Sequence, residues 1–231
     1  MCVLETFKAV LNTELESPGC IRPWALATRT QPQLSLAQLE TVCETLARLG
    51  MRRLYYLNRG EPFLSPAIHE EMLLLRNRCP DLYVHTASNG LHLDSDSKRQ
   101  AALLMDEVEI SIDGIDNDTV TRYQRGGSFD RSYNNMRELV SARKAAPGRN
   151  PIIEWKYLLF NWNDHPRMLE KATDLARNAG VDTIFFQPVN NPFYGVSWRA
   201  RLGQLNHIGS RSWRGYEVRF SDRTGVSHLD A

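Results

Sequence analysis

Tyr55-Tyr56-Leu57-Asn58-Arg59-Gly60-Glu61-Pro62 is the stretch whose reading decides the fold. Its lead-in, Leu54 to Leu57, has the length and apolar character of a short buried strand. The strand breaks into Gly60-Glu61-Pro62, where glycine permits a turn and proline withholds a ladder donor. A carboxylate therefore stands at the carboxyl end of a strand, where α/β proteins assemble their ligand sites. The same turn also serves ordinary strand-to-helix connections, so its weight depends on whether its neighbours repeat the pattern.

They do. Working outward, strand patterns fall at 9–15, 52–57, 82–87, 107–112, 152–160 and 181–186, with helical patterns between them. Ser35 and Gln38 form a capping box ahead of Leu36, Leu39, Val42, Cys43, Leu46 and Leu49, and Gly50 ends that helix. Further helices are expected at 66–78, 96–104, 129–144 and 166–178. Polar turns follow the later strands: Ser88-Asn89-Gly90, Asp113-Gly114, Asn161-Trp162-Asn163-Asp164 and Gln187-Pro188. Six strands alternating with five helices predict an α/β fold with parallel strands. A partial (β/α)6 TIM-like barrel fits this count better than a complete eightfold one, and a doubly wound open sheet is the alternative.

The helical and strand periodicity fades after Pro192, which divides the chain into a barrel domain at 1–192 and a tail or extension at 193–231. Arginines and aromatics (Trp198, Trp213, Tyr216, Phe220) are interleaved in that tail. The combination suits single-stranded nucleic acid, but an irregular solvated tail, or a strand capping the barrel, is the preferred reading.

The 231 residues are ample for a full core. A net charge of +1 gives no general argument for nucleic acid or an anionic membrane. No apolar run approaches the roughly 18 residues of a membrane span, and no signal-peptide pattern opens the chain. The expectation is a cytoplasmic protein with a small-molecule ligand, open to a protein partner, without a membrane and without nucleic acid.

With the strand ends laid out, the chain resembles the radical S-adenosylmethionine superfamily. Arg59-Gly60-Glu61-Pro62 resembles the family's GGEP turn with its first glycine replaced. Ser88-Asn89-Gly90 is similar to its TNG, and Ile110-Ser111-Ile112-Asp113-Gly114 resembles its SIDG. Tyr123 and Arg125-Gly126-Gly127-Ser128-Phe129 resemble the loop beyond. The resemblance implies a partial (β/α)6 barrel with S-adenosyl-L-methionine and a 4Fe-4S cluster as cofactors. Gly60, Glu61 and Pro62 would line the site for the methionine part, joined by Asn89, Ser111 and Asp113.

The family's chemistry also needs three thiolates in a C-x3-C-x2-C loop after the first strand, because soft sulfur ligands hold the irons. The cysteines here are Cys2, Cys20, Cys43 and Cys79. With Cys20 first in the motif, the other positions hold Trp24 and Ala27; with Cys20 second, they hold Glu16 and Pro23. Cys20 is the sole remaining candidate cluster ligand. Among the histidines, His69 and His165 fall on helices, His85 lies within a strand, and His92 follows a strand-end loop.

Three readings stay open. One is a degenerate family member that keeps a ligand site but assembles no standard cluster. Another is an active radical enzyme, with unusual or partner-supplied cluster ligands, acting on a small molecule, peptide or nucleotide. The last is an ordinary α/β lyase or isomerase using Glu61, Asp113 and Asn161.

Overall fold

In the computed structural model, residues 34–56, 60–148, 150–189 and 195–223 are described. The expected strand at 9–15 and the Cys20 loop lie outside them. Helix α1, Leu36–Arg48, starts on the predicted capping box, with Ser35 and Gln38 each bonding the other's backbone N–H. It stops in a Schellman turn: Gly50, at φ 62°, donates to Ala47 and Met51 to Leu46. Leu39, Val42, Cys43 and Leu46 are buried, whereas Leu36 and Leu49 at the ends of the predicted apolar stripe are exposed.

The chain then repeats a strand–helix unit. Strands β1 (Arg53–Tyr55), β2 (Tyr83–Ser88), β3 (Glu107–Ser111), β4 (Ile152–Leu159) and β5 (Thr183–Pro188) form an in-order parallel sheet. The helices between them are α2 (Ile68–Arg78), α3 (Asp96–Leu103), α4 (Asn117–Thr121), α5 (Phe129–Ala145) and α6 (Pro166–Ala179). Only α4 was not anticipated. Its signal is local: Asp116 caps it, and Thr119 closes a capping box in place of the usual glutamate. Successive helices pack on one another as a single layer over one face of the sheet. Trp155 marks that face, buried against Phe129 and Tyr133 of α5. Because side chains alternate along a strand, Glu154 and Lys156 point to the opposite, inner face. An in-order parallel sheet that does not close, with its helices on one side, is a partial barrel.

The tail contributes secondary structure of its own. A short helix α7 (Trp198–Arg201) precedes β6 (Ser210–Arg211) and β7 (Tyr216–Arg219), and β7 adds antiparallel to β5. The described sheet thus has seven strands in the order β1-β2-β3-β4-β5-β7-β6. Of the two readings of this segment, the capping strand describes residues 216–219. The hairpin approaches the sheet so closely that a Cβ on Gly215 would lie 2.1 Å from the Phe186 carbonyl oxygen. Asp164, at the end of β4, accepts from Ser197 (2.7 Å) and Arg199 (2.5 Å), which fastens the start of the tail to the barrel.

Two arginine–aspartate knots, one part-buried and one buried, hold the amino ends of the strands. Arg76 pairs with Asp106 at 2.5 Å and donates to the Leu82 and Leu104 carbonyls. Arg143 pairs with Asp182, which also accepts from Ile153 N and Ser221 Oγ. Each guanidinium replaces backbone partners that the sheet loses where its strands begin.

Candidate ligand site at the carboxyl ends of the strands

In a parallel sheet every strand end points the same way, so Gly60–Pro62, Asn89, Ser111 and Asp113 all lie at one end of the barrel. Glu61 is buried and caps a single 3-10 turn, Pro62–Leu64, by accepting from Phe63 N at 3.3 Å. Its other contacts reach across to β2: Ser88 Oγ donates to Oε1 at 2.7 Å and Asn89 N to Oε2 at 2.9 Å. Three of about four lone-pair positions on the carboxylate are thus used inside the protein. Glu61 fixes the relation between two strand-end turns rather than presenting a free carboxylate. Burial pushes its pKa up, opposed by the hydrogen bonds from Asn89, Ser88 and Phe63.

Asn89 sits in a turn that needs the following glycine. Gly90 has φ 75°, and a Cβ there would meet Ile110 and Ser132 at 3.1 and 3.3 Å. The Asn89 side-chain oxygen accepts from Leu91 N at 2.9 Å, and its carbonyl accepts from Ser132 Oγ at 2.7 Å. The carboxamide Nδ2 is left as a donor at the barrel mouth.

Asp113 performs a different task. β3 ends at Ser111, and its ladder with β4 has its last bond from Ile112 N to the Lys156 carbonyl. The next donor along β4, Leu158 N, is taken by Asp113 Oδ1 at 2.8 Å, so a side chain supplies the missing rung. Burial pushes the Asp113 pKa up to about 7, restrained by that bond and by the charge of Lys156. Ser111, part-exposed on the inner face, has its carbonyl held by Gln124 Nε2 at 3.0 Å.

The reading of β4's end needs one adjustment. Asn161 is exposed, and the residue that organises this corner is Asn163. It is wholly buried, donates to the Asp113 and Leu158 carbonyls at 2.9 Å each, and accepts from Phe160 N. Two asparagines separated by one residue look alike in sequence; only the packing chooses between them. Arg125 is exposed beyond the mouth.

The cysteines divide by position. Cys43 on α1 and Cys79 at the end of α2 are both buried, and the Cys79 thiol donates to the Cys43 carbonyl at 3.4 Å. They belong to the helix layer, away from the strand ends. Burial, then the neighbouring Cys79, pushes the Cys43 thiol up to about 11, so it stays protonated. Cys20 lies outside the described residues. Among the described residues no group of His, Cys, Asp and Glu is placed to hold a metal ion.

What the mouth offers is a set of fixed polar groups: a carboxamide donor from Asn89, one carboxyl oxygen of Asp113, and turns held in register by Glu61 and Asn163. Such groups can orient a polar ligand, and a carboxyl group near neutrality can exchange a proton with it. No helix among the described residues is long and apolar enough to cross a membrane.

Comparison with known proteins places this geometry. Streptococcus suis SuiB bound to S-adenosylmethionine is similar with a TM-score of 0.59 and 12% identity, over 84% of this chain and 40% of that one. Kitasatospora setae TsrM, with tryptophan and a SAM analogue bound, gives 0.53 and 16% over 68% and 30%. The AdoMet-bound anSMEcpe gives 0.52 and 15% over 73% and 49%. The chain thus spans less than half the length of each of these neighbours, and the likeness is one of fold. No curated protein matches the sequence significantly. The family model of the radical SAM superfamily matches residues 18–145, more than half of the chain, which belongs to that superfamily.

Proposed function

We propose that this chain is a radical-SAM-type barrel that binds S-adenosylmethionine or a close relative at its strand ends without building the family's three-thiolate cluster from its own cysteines. One observation carries the reading: Cys43 and Cys79 are committed to the helix layer as buried thiols. That leaves Cys2 and Cys20 in the sequence, one thiolate short of the three that the site requires. The residues present do not fit the cluster, and no reaction step is assigned through it.

The ligand side of the proposal rests on the mouth. Glu61 holds the β1 and β2 turns together, Asn89 presents its amide, and Asp113 carries a proton over part of the neutral range. These groups suit a zwitterionic, ribose-bearing molecule: donors for a carboxylate, acceptors for an ammonium and hydroxyls. The protein would work in the cytoplasm on a small molecule, alone or beside a protein partner.

The second reading, an active enzyme whose missing ligands come from a partner, draws on the same polar mouth. Iron and acid-labile sulfide after anaerobic reconstitution separate the two. The expected result is well below the roughly four irons per chain of a full cluster, together with a calorimetric S-adenosylmethionine signal that Glu61→Ala weakens. A full complement of iron on the isolated chain would overturn the first reading. Equal heats for wild type and variant would remove the ligand assignment.

A further inference from the structure

The inner face of the sheet carries an arrangement unrelated to the strand-end turns. His85, in the middle of β2, is 7% exposed, and neither ring nitrogen has a hydrogen-bond partner among the described residues. A buried imidazole left unpartnered costs free energy that a phenylalanine of similar shape would avoid.

The surroundings specify what would relieve that cost. Tyr55 of β1 and Glu107 of β3 flank His85 in register, and Glu109 stands opposite Ala87, the next inner-face position of β2. Both glutamates are buried; Glu107 accepts from Tyr83 at 2.9 Å, and Glu109 binds Lys156 at 2.9 Å and Arg214 at 3.4 Å. The glutamate charges act on His85 more strongly than those of Arg214 and Lys156, so the local field favours a positive group. Burial keeps the ring neutral, with one nitrogen an acceptor.

There is also an approach. On the inner face Ala87 and Lys156 are part-exposed, Lys156 although it is paired on both sides, with Ser111 of β3 and Phe185 of β5. Solvent therefore reaches the inner face at Ala87, two residues along β2 from His85. The Tyr55 ring, 53% exposed, lies 4.9 Å from the imidazole as its outer wall.

We propose that His85, with Glu107, Glu109 and the Tyr55 ring, forms a site on the inner face for the ammonium group of a small organic amine. The ammonium donates to the imidazole, lies in the field of the two carboxylates, and packs against the tyrosine ring. The site is independent of the proposed nucleotide pocket and stands even if that pocket binds nothing.

The test uses the full chain with 15N-labelled histidine, whose His85 ring resonances report directly on the site. n-Butylammonium should shift them saturably, while n-butyrate and n-butanol at equal concentration leave them in place. Glu107→Gln should weaken the butylammonium response about tenfold, the loss of one charge-assisted contact, with the other histidine resonances confirming an intact fold. His85→Gln should leave the S-adenosylmethionine calorimetric signal unchanged, which separates this site from the strand-end one. Ring resonances that do not respond to butylammonium, or respond equally to butyrate, overturn the proposal.

Discussion

At the amino ends of the strands, Arg76 meets Asp106 and Arg143 meets Asp182, the first pair part-buried, the second buried, and both surrounded by backbone partners. At the carboxyl ends Glu61 and Asp113 are buried, but among the described residues only neutral donors bond them. The amino-end carboxylates are paired with arginines; Glu61 and Asp113 are bonded by neutral donors and their pKa values are raised, whereas Asp164 beyond β4 pairs with Arg199. A fold that needed only stability would have little reason for the second arrangement. Parallel α/β sheets place binding at the carboxyl end and structural support at the amino end, and the chemistry here divides in that way.

The comparison is most easily broken at Asp182. Asp182→Ala strands a buried guanidinium and frees Ile153 N, and should cost about 3–5 kcal/mol in urea denaturation. A loss smaller than that from Glu61→Ala would reverse the assignment of the two ends.

Next in size is a pH effect. Asp113 binds its proton more tightly folded than unfolded, so its contribution is greatest at low pH and declines from the ordinary carboxyl range up to about 7. Across that window the wild type should lose stability relative to Asp113→Asn by on the order of a few kcal/mol. Denaturation of both proteins at a series of pH values measures it, and parallel curves would refute the assignment.

Glu61→Ala should cost about 1–3 kcal/mol, the penalty for leaving turn donors unpaired, while retaining the circular dichroism of the wild type. Ser35→Ala should cost about 1 kcal/mol through loss of the α1 cap. That last variant calibrates the others, since it touches neither kind of buried carboxylate.

Much of this was legible in the sequence because local rules carried it. The capping box at Ser35, the glycine turns at Gly50 and Gly90, and the parallel strands from β1 to β5 follow from short-range pattern. The strand-end residues were legible as a group, since parallel topology puts them at one end whatever their contacts. Their individual roles were not. That Glu61 spends its oxygens on Ser88, Asn89 and Phe63, or that Asp113 substitutes for a ladder rung, depends on the approach of segments 27 and 45 residues apart. Asn163 rather than Asn161 at the corner, and β7 against β5, are likewise long-range outcomes to which periodicity is blind.

That last pairing governs how the molecule meets its own copies. An unpaired strand at a sheet margin is a template on which another chain can add, and β5 is a long, apolar, six-residue candidate. With β7 laid against it, the margin passes to β6, two residues long with both side chains exposed, one of them an arginine. Gly215, tucked beneath the Phe186 carbonyl, is what lets the hairpin lie close enough to do this. A side chain at that position would act on the sheet margin itself, by lifting the hairpin and uncovering β5 as an edge on which another strand can add.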